Sequence, residues 1–204
     1  MKEMKLIDFA AQTASAEPVP GGGSIAAVSG ALSAALTEMV ANLTIGKKKY
    51  EEVEGQMKDI AAKAAQLRAT LLDDIQRDSN SFNDVMQAMK MPKDTDEEKA
   101  LRTAAMQSGL KIAAEVPFEI ASHAFEIMPF AEKVVESGNS NAVTDGLVSA
   151  MLSRTAVLSA LLNTKINLAS IKDEAYVADM SKKVKDLEEK VVEFEKKIMS
   201  KSPY

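Results

Sequence analysis

The chain of 204 residues contains no cysteine and one histidine, His123, and these two counts narrow the available chemistry at once. Without Cys there is no thiolate nucleophile, no disulfide framework and no Cys-ligated metal. One His cannot build a multi-histidine zinc site, and a Ser-His-Asp triad would have to run through His123. Its surroundings, PFEIASHAFEIMPF, read as the middle or end of a helix, which favours a partly buried helical imidazole. Proton transfer therefore falls to carboxylates. In LLDDIQRDSN, Asp74 and Asp78 lie four residues apart with Arg77 beside them. On a helix that spacing puts both carboxyls on one face, where like-charge repulsion raises one pKa. The alternative reading is an ordinary charged helix surface.

A second stretch with chemical potential is EPVPGGGSIAAVSGALSAAL, residues 17–36. It is not a Walker loop, because no Gly-Lys-Ser/Thr ending follows, and no strand precedes it as a dinucleotide fingerprint requires. Consecutive glycines let a ligand or another backbone pack directly on the main chain. The segment also opens a helix, whose free N–H groups favour a carboxylate or oxyanion. A ligand cradle through Gly21, Gly22, Gly23 and Ser24 and a tight inter-helix turn are both compatible with these residues. Asn163 and Asn167, four apart on a helix face, either orient polar ligand atoms or satisfy each other.

The elements that must position these groups are helical almost throughout. Hydrophobic residues make up 46% of the chain but aromatics only 4%, so the core is Ala, Leu, Ile, Val and Met, mostly helix-favouring types. Met4 to Ala11 is a short amphipathic start, followed by a linker to Pro20. The small-residue helix from Ser24 to Ile45 stops at Gly46, and Lys47, Lys48 and Lys49 suit the negative end of its dipole, a reading kept ahead of a patch that meets ligand carboxylates. A long helix runs from Glu51 to about Met89 and is broken by Pro92; Asp94 or Thr95 caps the next, which reaches about Glu136 with bends near Pro117 and Pro129. After the turn GNSNAVTDG a helix covers about 141–169. In the last helix Val177, Met180, Val184, Leu187, Val191, Phe194 and Ile198 alternate three and four apart, a heptad seam that needs a partner groove in the bundle or on another subunit. The expectation is one all-α domain, residues 1–204, a bundle of about five or six helices.

Charge and hydropathy exclude other classes. A formal net charge of −5 argues against nucleic acid, whose phosphates need a basic face. The uncharged run from Pro18 to Thr37 has the length of a membrane span, but its prolines, glycines and Ser24, Ser29 and Ser33 leave only about 14 helical residues before Glu38, too few to cross. A buried helix of a soluble protein is expected, with no membrane partner. MKEMKLIDFA carries mixed charges and no apolar core of a signal peptide, so a cytoplasmic protein is expected.

Four blocks in order, PVPGGGSIAAVSGALSAALTEMVANLTIGKKKYEEVE, DSNSFNDVMQAMKMPKDTDEEK, AAEVPFEIA and GNSNAVTDG, resemble the formimidoyltetrahydrofolate cyclodeaminase and methenyltetrahydrofolate cyclohydrolase family, over roughly Phe9 to Asp173. The resemblance implies an all-α homodimer acting on the one-carbon unit held between N5 and N10 of tetrahydrofolate. The family's acid, four before Phe in D-x-x-x-F, falls on Asp78 with Phe82 following, which makes Asp78 the expected general acid/base. Gly21, Gly22, Gly23 and Ser24 are expected against the pterin or its tail. Asn139 and Asp145 would hydrogen-bond pterin nitrogens, with capping of the following helix as the equal alternative, and Asn163 and Asn167 would hold polar ligand atoms. The chemistry implied needs no metal, redox cofactor or covalent nucleophile; the tetrahydrofolate derivative is substrate. Any formimidoyl transfer would belong to another protein. The chain departs from the pattern at Lys165, where an apolar residue is expected.

Between the two activities, the reading leans to the cyclodeaminase, with the cyclohydrolase as alternative. A non-enzymatic helical protein associating through the heptad seam, and a family member that binds folate without turnover, are the readings of other classes.

Overall fold

The computed structural model describes residues 1–203. Among them the chain forms seven α-helices: α1 Leu6–Thr13, α2 Gly22–Thr44, α3 Glu54–Met89, α4 Asp96–Phe125, α5 Met128–Ser137, α6 Val143–Leu168 and α7 Glu174–Met199, with short 3₁₀ segments at Lys48–Val53 and Ser140–Ala142. No strand is formed among the described residues. Four long helices make the frame: α2 packs on α3 and α6, and α4 closes the square against both.

Small side chains explain why α2 can sit at its centre. Ala26, Ala27, Gly30, Ala31 and Ala34 are buried, and a Cβ on Gly30 would stand 3.1 Å from both Leu71 methyls. The hydroxyls carried inward are satisfied across the α2–α6 contact. Ser33 Oγ donates to the Ser149 carbonyl at 2.8 Å, Ser149 Oγ donates to the Ser33 carbonyl at 2.8 Å, and Thr37 Oγ1 lies 2.7 Å from Ser149 Oγ. Buried hydroxyls paired in this way avoid the cost of an orphaned polar group. The stretches Gly22–Thr44 and Ser140–Leu168 are long and apolar enough to cross a membrane. Both are core helices in this fold, with 56% and 50% of their apolar windows buried.

Local signals place most boundaries. Gly46 takes φ +75° and ends the α2 segment, a conformation that favours glycine. Thr95 caps α4 in a full capping box with Glu98. The helix expected to reach Glu136 is two: α4 runs unbroken through Pro117 but ends at Phe125, and Pro129 starts α5, where its missing N–H costs nothing. The seam of α7 is covered from within. Met180, Val184, Val191 and Ile198 are buried, Val177, Leu187 and Phe194 pack against the same core, and α7 lies along α6 and α5. Lys165 is not in a core position: it is exposed, and its Nζ donates to both Glu188 oxygens at 2.8 Å, tying α6 to α7.

Candidate active site

The site begins where α2 begins. The Val19–Pro20 peptide is cis and leads into Gly21, the N-cap of α2, which has no side chain to close the first free N–H groups. An acid from the neighbouring helix does so instead. Asp78 on α3 accepts from the Ser24 hydroxyl at 2.8 Å and from the Ser24 backbone N–H, so its carboxylate sits on the positive end of the α2 dipole. This approach is possible only because residue 23 is glycine: a Cβ there would lie 2.0 Å from Asp78 Oδ1. Ser24 is itself fully buried, with Ser79 Oγ at 3.3 Å and the Ile75 carbonyl at 3.4 Å.

Asp78 is half-buried. Desolvation raises its pKa above the ordinary carboxylate value, the two Ser24 hydrogen bonds pull it back, and the charge of Asp74 adds a smaller upward push. The repulsion expected from the i, i+4 pair is thus present, but burial is the larger cause. Asp74 does not share the cleft. It is 1% exposed and held by Arg77 Nη1 at 2.6 Å and His123 Nδ1 at 2.8 Å, while Arg77 also reaches Glu119. The hydrogen bond to Asp74 raises the His123 pKa against its partial burial. The one histidine therefore belongs to an ion network built around the buried Asp74 on the α3–α4 contact.

A cleft of about 400 Å³ opens in front of Asp78. Its floor is the glycine run; one wall is α3, with Phe82, Val85, Met86 and Met89; the other combines Leu110 and Ala113 of α4 with Asn163, Ile166 and Asn167 of α6. Asp78 is the one charged side chain among the described lining residues. Both asparagines spend their amino groups on carbonyls: Asn163 Nδ2 donates to Ser159 O at 2.9 Å, and Asn167 Nδ2 to Ala113 O at 2.7 Å and Asn163 O at 2.9 Å. Each Oδ1 is left without a protein donor among the described residues. Asn163 also packs on the α2 start, 3.0 Å from where a Gly22 Cβ would be.

Of the residues singled out in the sequence, Gly21, Gly22, Gly23, Ser24, Asp78, Asn163 and Asn167 converge here. Asn139 and Asp145 do not. Asn139 accepts from the Asn141 amide and donates to the Leu43 carbonyl at 3.0 Å, closing the far end of α2. Asp145 stands in the first turn of α6, 18 residues and about 27 Å of helix from Asn163. For Asn139 the capping alternative describes its contacts. Ser24 holds the acid through its hydroxyl. The apolar wall follows from helical spacing, since Phe82, Val85 and Met89 share one helical face with Asp78.

The sequence profile of the formiminotransferase-cyclodeaminase family matches residues 5–186. Over 174 residues the chain is 44% identical to methenyltetrahydrofolate cyclohydrolase of Methylorubrum extorquens, covering 85% of this chain and 84% of that one. It is 32% identical to formimidoyltransferase-cyclodeaminase of Sus scrofa over 88% of its length but spans only 33% of that longer protein. Its fold superposes on the crystal structure of formiminotetrahydrofolate cyclodeaminase from Thermotoga maritima with a TM-score of 0.88 and 32% identity, covering 98% of this chain and 96% of that one.

Proposed function

The chain belongs to the formiminotransferase-cyclodeaminase family, and from that premise we propose that it hydrolyses 5,10-methenyltetrahydrofolate to 10-formyltetrahydrofolate, with Asp78 as general acid/base. The observation that carries this reading is the Asp78 carboxyl, clamped by Ser24 at the mouth of a cleft that is otherwise uncharged among its described lining residues. A cationic amidinium ring is attracted to such a carboxylate. Asp78 takes one proton from the attacking water as its oxygen bonds to the amidinium carbon. The C–N5 bond then breaks, N5 receives that proton, and the remaining hydroxyl proton leaves to solvent as the formyl C=O forms. A carboxyl lifted toward neutrality by burial can serve in both directions.

We place the cyclohydrolase ahead of the cyclodeaminase leaning drawn from the sequence, because the Methylorubrum cyclohydrolase is 44% identical and the Thermotoga cyclodeaminase 32%, both matching the chain in length. The Thermotoga structure keeps ammonia release as a second reading; it needs the same shuttle, with N10 attacking the formimidoyl carbon. Absorbance of the methenyl ring separates the two. Accelerated loss of 5,10-methenyltetrahydrofolate is expected, and its appearance from formimidoyltetrahydrofolate without such loss would reverse the assignment.

A homodimer is part of this proposal. Ile25, Leu32, Met39 and Leu43 form an exposed stripe along α2, and Val148, Met151, Leu162 and Ile166 one along the adjoining α6. Adjacent apolar stripes of this extent mark an interaction surface. Sedimentation at twice the 21.9 kDa chain mass is expected, and sedimentation at the single-chain mass would overturn it.

A further inference from the structure

Beyond the acid and the two asparagines, the cleft has a far end. Along α4, Leu110 and Ala113 line the cleft, and Met106 and Arg102, four and eight residues before Leu110, continue the same helical face past the end of that lining. Along α3 the lining ends at Met89, 11 residues and about 16 Å beyond Asp78. The two ends meet in one contact: Arg102 Nε donates to the Met89 carbonyl at 3.1 Å.

The chain has four arginines. Arg68, Arg77 and Arg154 each pair with a carboxylate, of Glu38, Asp74 and Glu195, at 2.8, 2.6 and 3.0 Å. Arg102 has no carboxylate partner among the described residues. Lys90 and Lys93, just past the end of α3, are in the same position. Of the acids nearest in sequence, Glu98 accepts from the Asp94 and Thr95 amides and Asp96 pairs with Lys99 at 2.9 Å, while Asp94 and Glu97 form no ion pair with Arg102, Lys90 or Lys93 among the described residues.

The order is thus a carboxylate, an apolar stretch from Phe82 to Met89 and Leu110, and, on the Met89 carbonyl at the end of the lining, an unpaired guanidinium. A ligand complementary to that order has a cationic or proton-donating head, an aryl middle and an anionic end. We propose that Arg102 is the specificity residue for the glutamate tail of the folate, binding its carboxylates through the guanidinium nitrogens not used on Met89. This rests on the folate reading above and extends it to the half of the substrate distant from the chemistry. An arginine fork suits a carboxylate better than an ammonium does.

The experiment compares Arg102→Gln with the parent protein on two substrates, 5,10-methenyltetrahydrofolate and 5,10-methenyltetrahydropteroate, which lacks the glutamate. The expected result is a rise in KM of about tenfold for the glutamylated substrate, the loss of one charge-assisted contact. Its kcat should change little, and the KM of the pteroate should stay where it was. An equal rise for both substrates would mean that Arg102 acts only by holding the end of α3, and an unchanged KM for both would remove it from the site; either overturns the assignment. Parent protein that turns over neither compound overturns the cyclohydrolase reading itself, a separate failure visible before the variant is made.

Discussion

Asp78→Asn is expected to lower turnover by about 10²–10⁴-fold, the contribution of one positioned acid/base, while substrate binding and helical content persist. Asn keeps the shape and an oxygen that can accept from the Ser24 hydroxyl and amide, so the start of α2 stays closed. What disappears is the capacity to take and return a proton. Folded variant with full turnover would end the assignment. The same substitution should alter stability in a direction fixed by linkage. The Asp78 pKa is higher in the folded protein than in the unfolded chain, where it is about 3.9. Between the two values the folded state holds more protons, so this group's contribution falls as pH rises through that window and is level above it. Thermal melts across pH should therefore show the parent losing stability relative to Asp78→Asn from about pH 4 upward, with no further divergence once Asp78 is ionised in both states. A divergence of opposite sign would mean that the Ser24 clamp outweighs desolvation.

Gly23→Ala should cost about 10²-fold or more in turnover without unfolding the protein. Added to Gly23, a methyl meets Asp78 Oδ1 at 2.0 Å and the carboxyl carbon at 2.6 Å, closer than atoms can stand. The relief is local, since Asp78 is a short side chain that can rotate away, and alanine in place of glycine favours a helix by up to about 1 kcal/mol. Rotation takes the carboxylate off Ser24, and displacement of about 1 Å at a reacting group is worth that order of loss. Gly55→Ala is the matched control, because nothing lies within 4 Å of a Cβ at that position of α3; its activity should be unchanged. Equal activity in both variants would show that the close approach at Gly23 has no bearing on catalysis.

These effects trace to features of unequal visibility in the sequence. The all-helical frame was legible because its signals are local: Gly46, Pro92, the Thr95–Glu98 box and the three-four seam of α7 each act within a turn or two. The identity of the acid was visible through the D-x-x-x-F block, whereas its environment was not, since the Ser24–Asp78 contact joins residues 54 apart. Nor does any local rule send Asp74 toward His123 on α4 and Asp78 toward α2; one turn of helix separates them, and tertiary packing divides the pair. Asn139 and Asp145 illustrate the converse. A polar turn next to a helix start reads alike whether it meets a ligand or caps its own backbone, and for Asn139 the capping contacts are the ones formed.

The glycine floor and the methionine wall constrain inheritance differently. On the α2 side, a Cβ at Gly23 would strike Asp78 at 2.0 Å and one at Gly22 would crowd Asn163 Nδ2 at 3.0 Å, so position 23 admits almost no variation without loss of the acid. Opposite it, Met86 and Met89 are flexible thioethers, and Met89 is 46% exposed, able to change volume at little expense to the core. A lineage drifting toward an altered ligand has one face on which to improvise, the exit side of α3, while position 23 of α2 stays frozen.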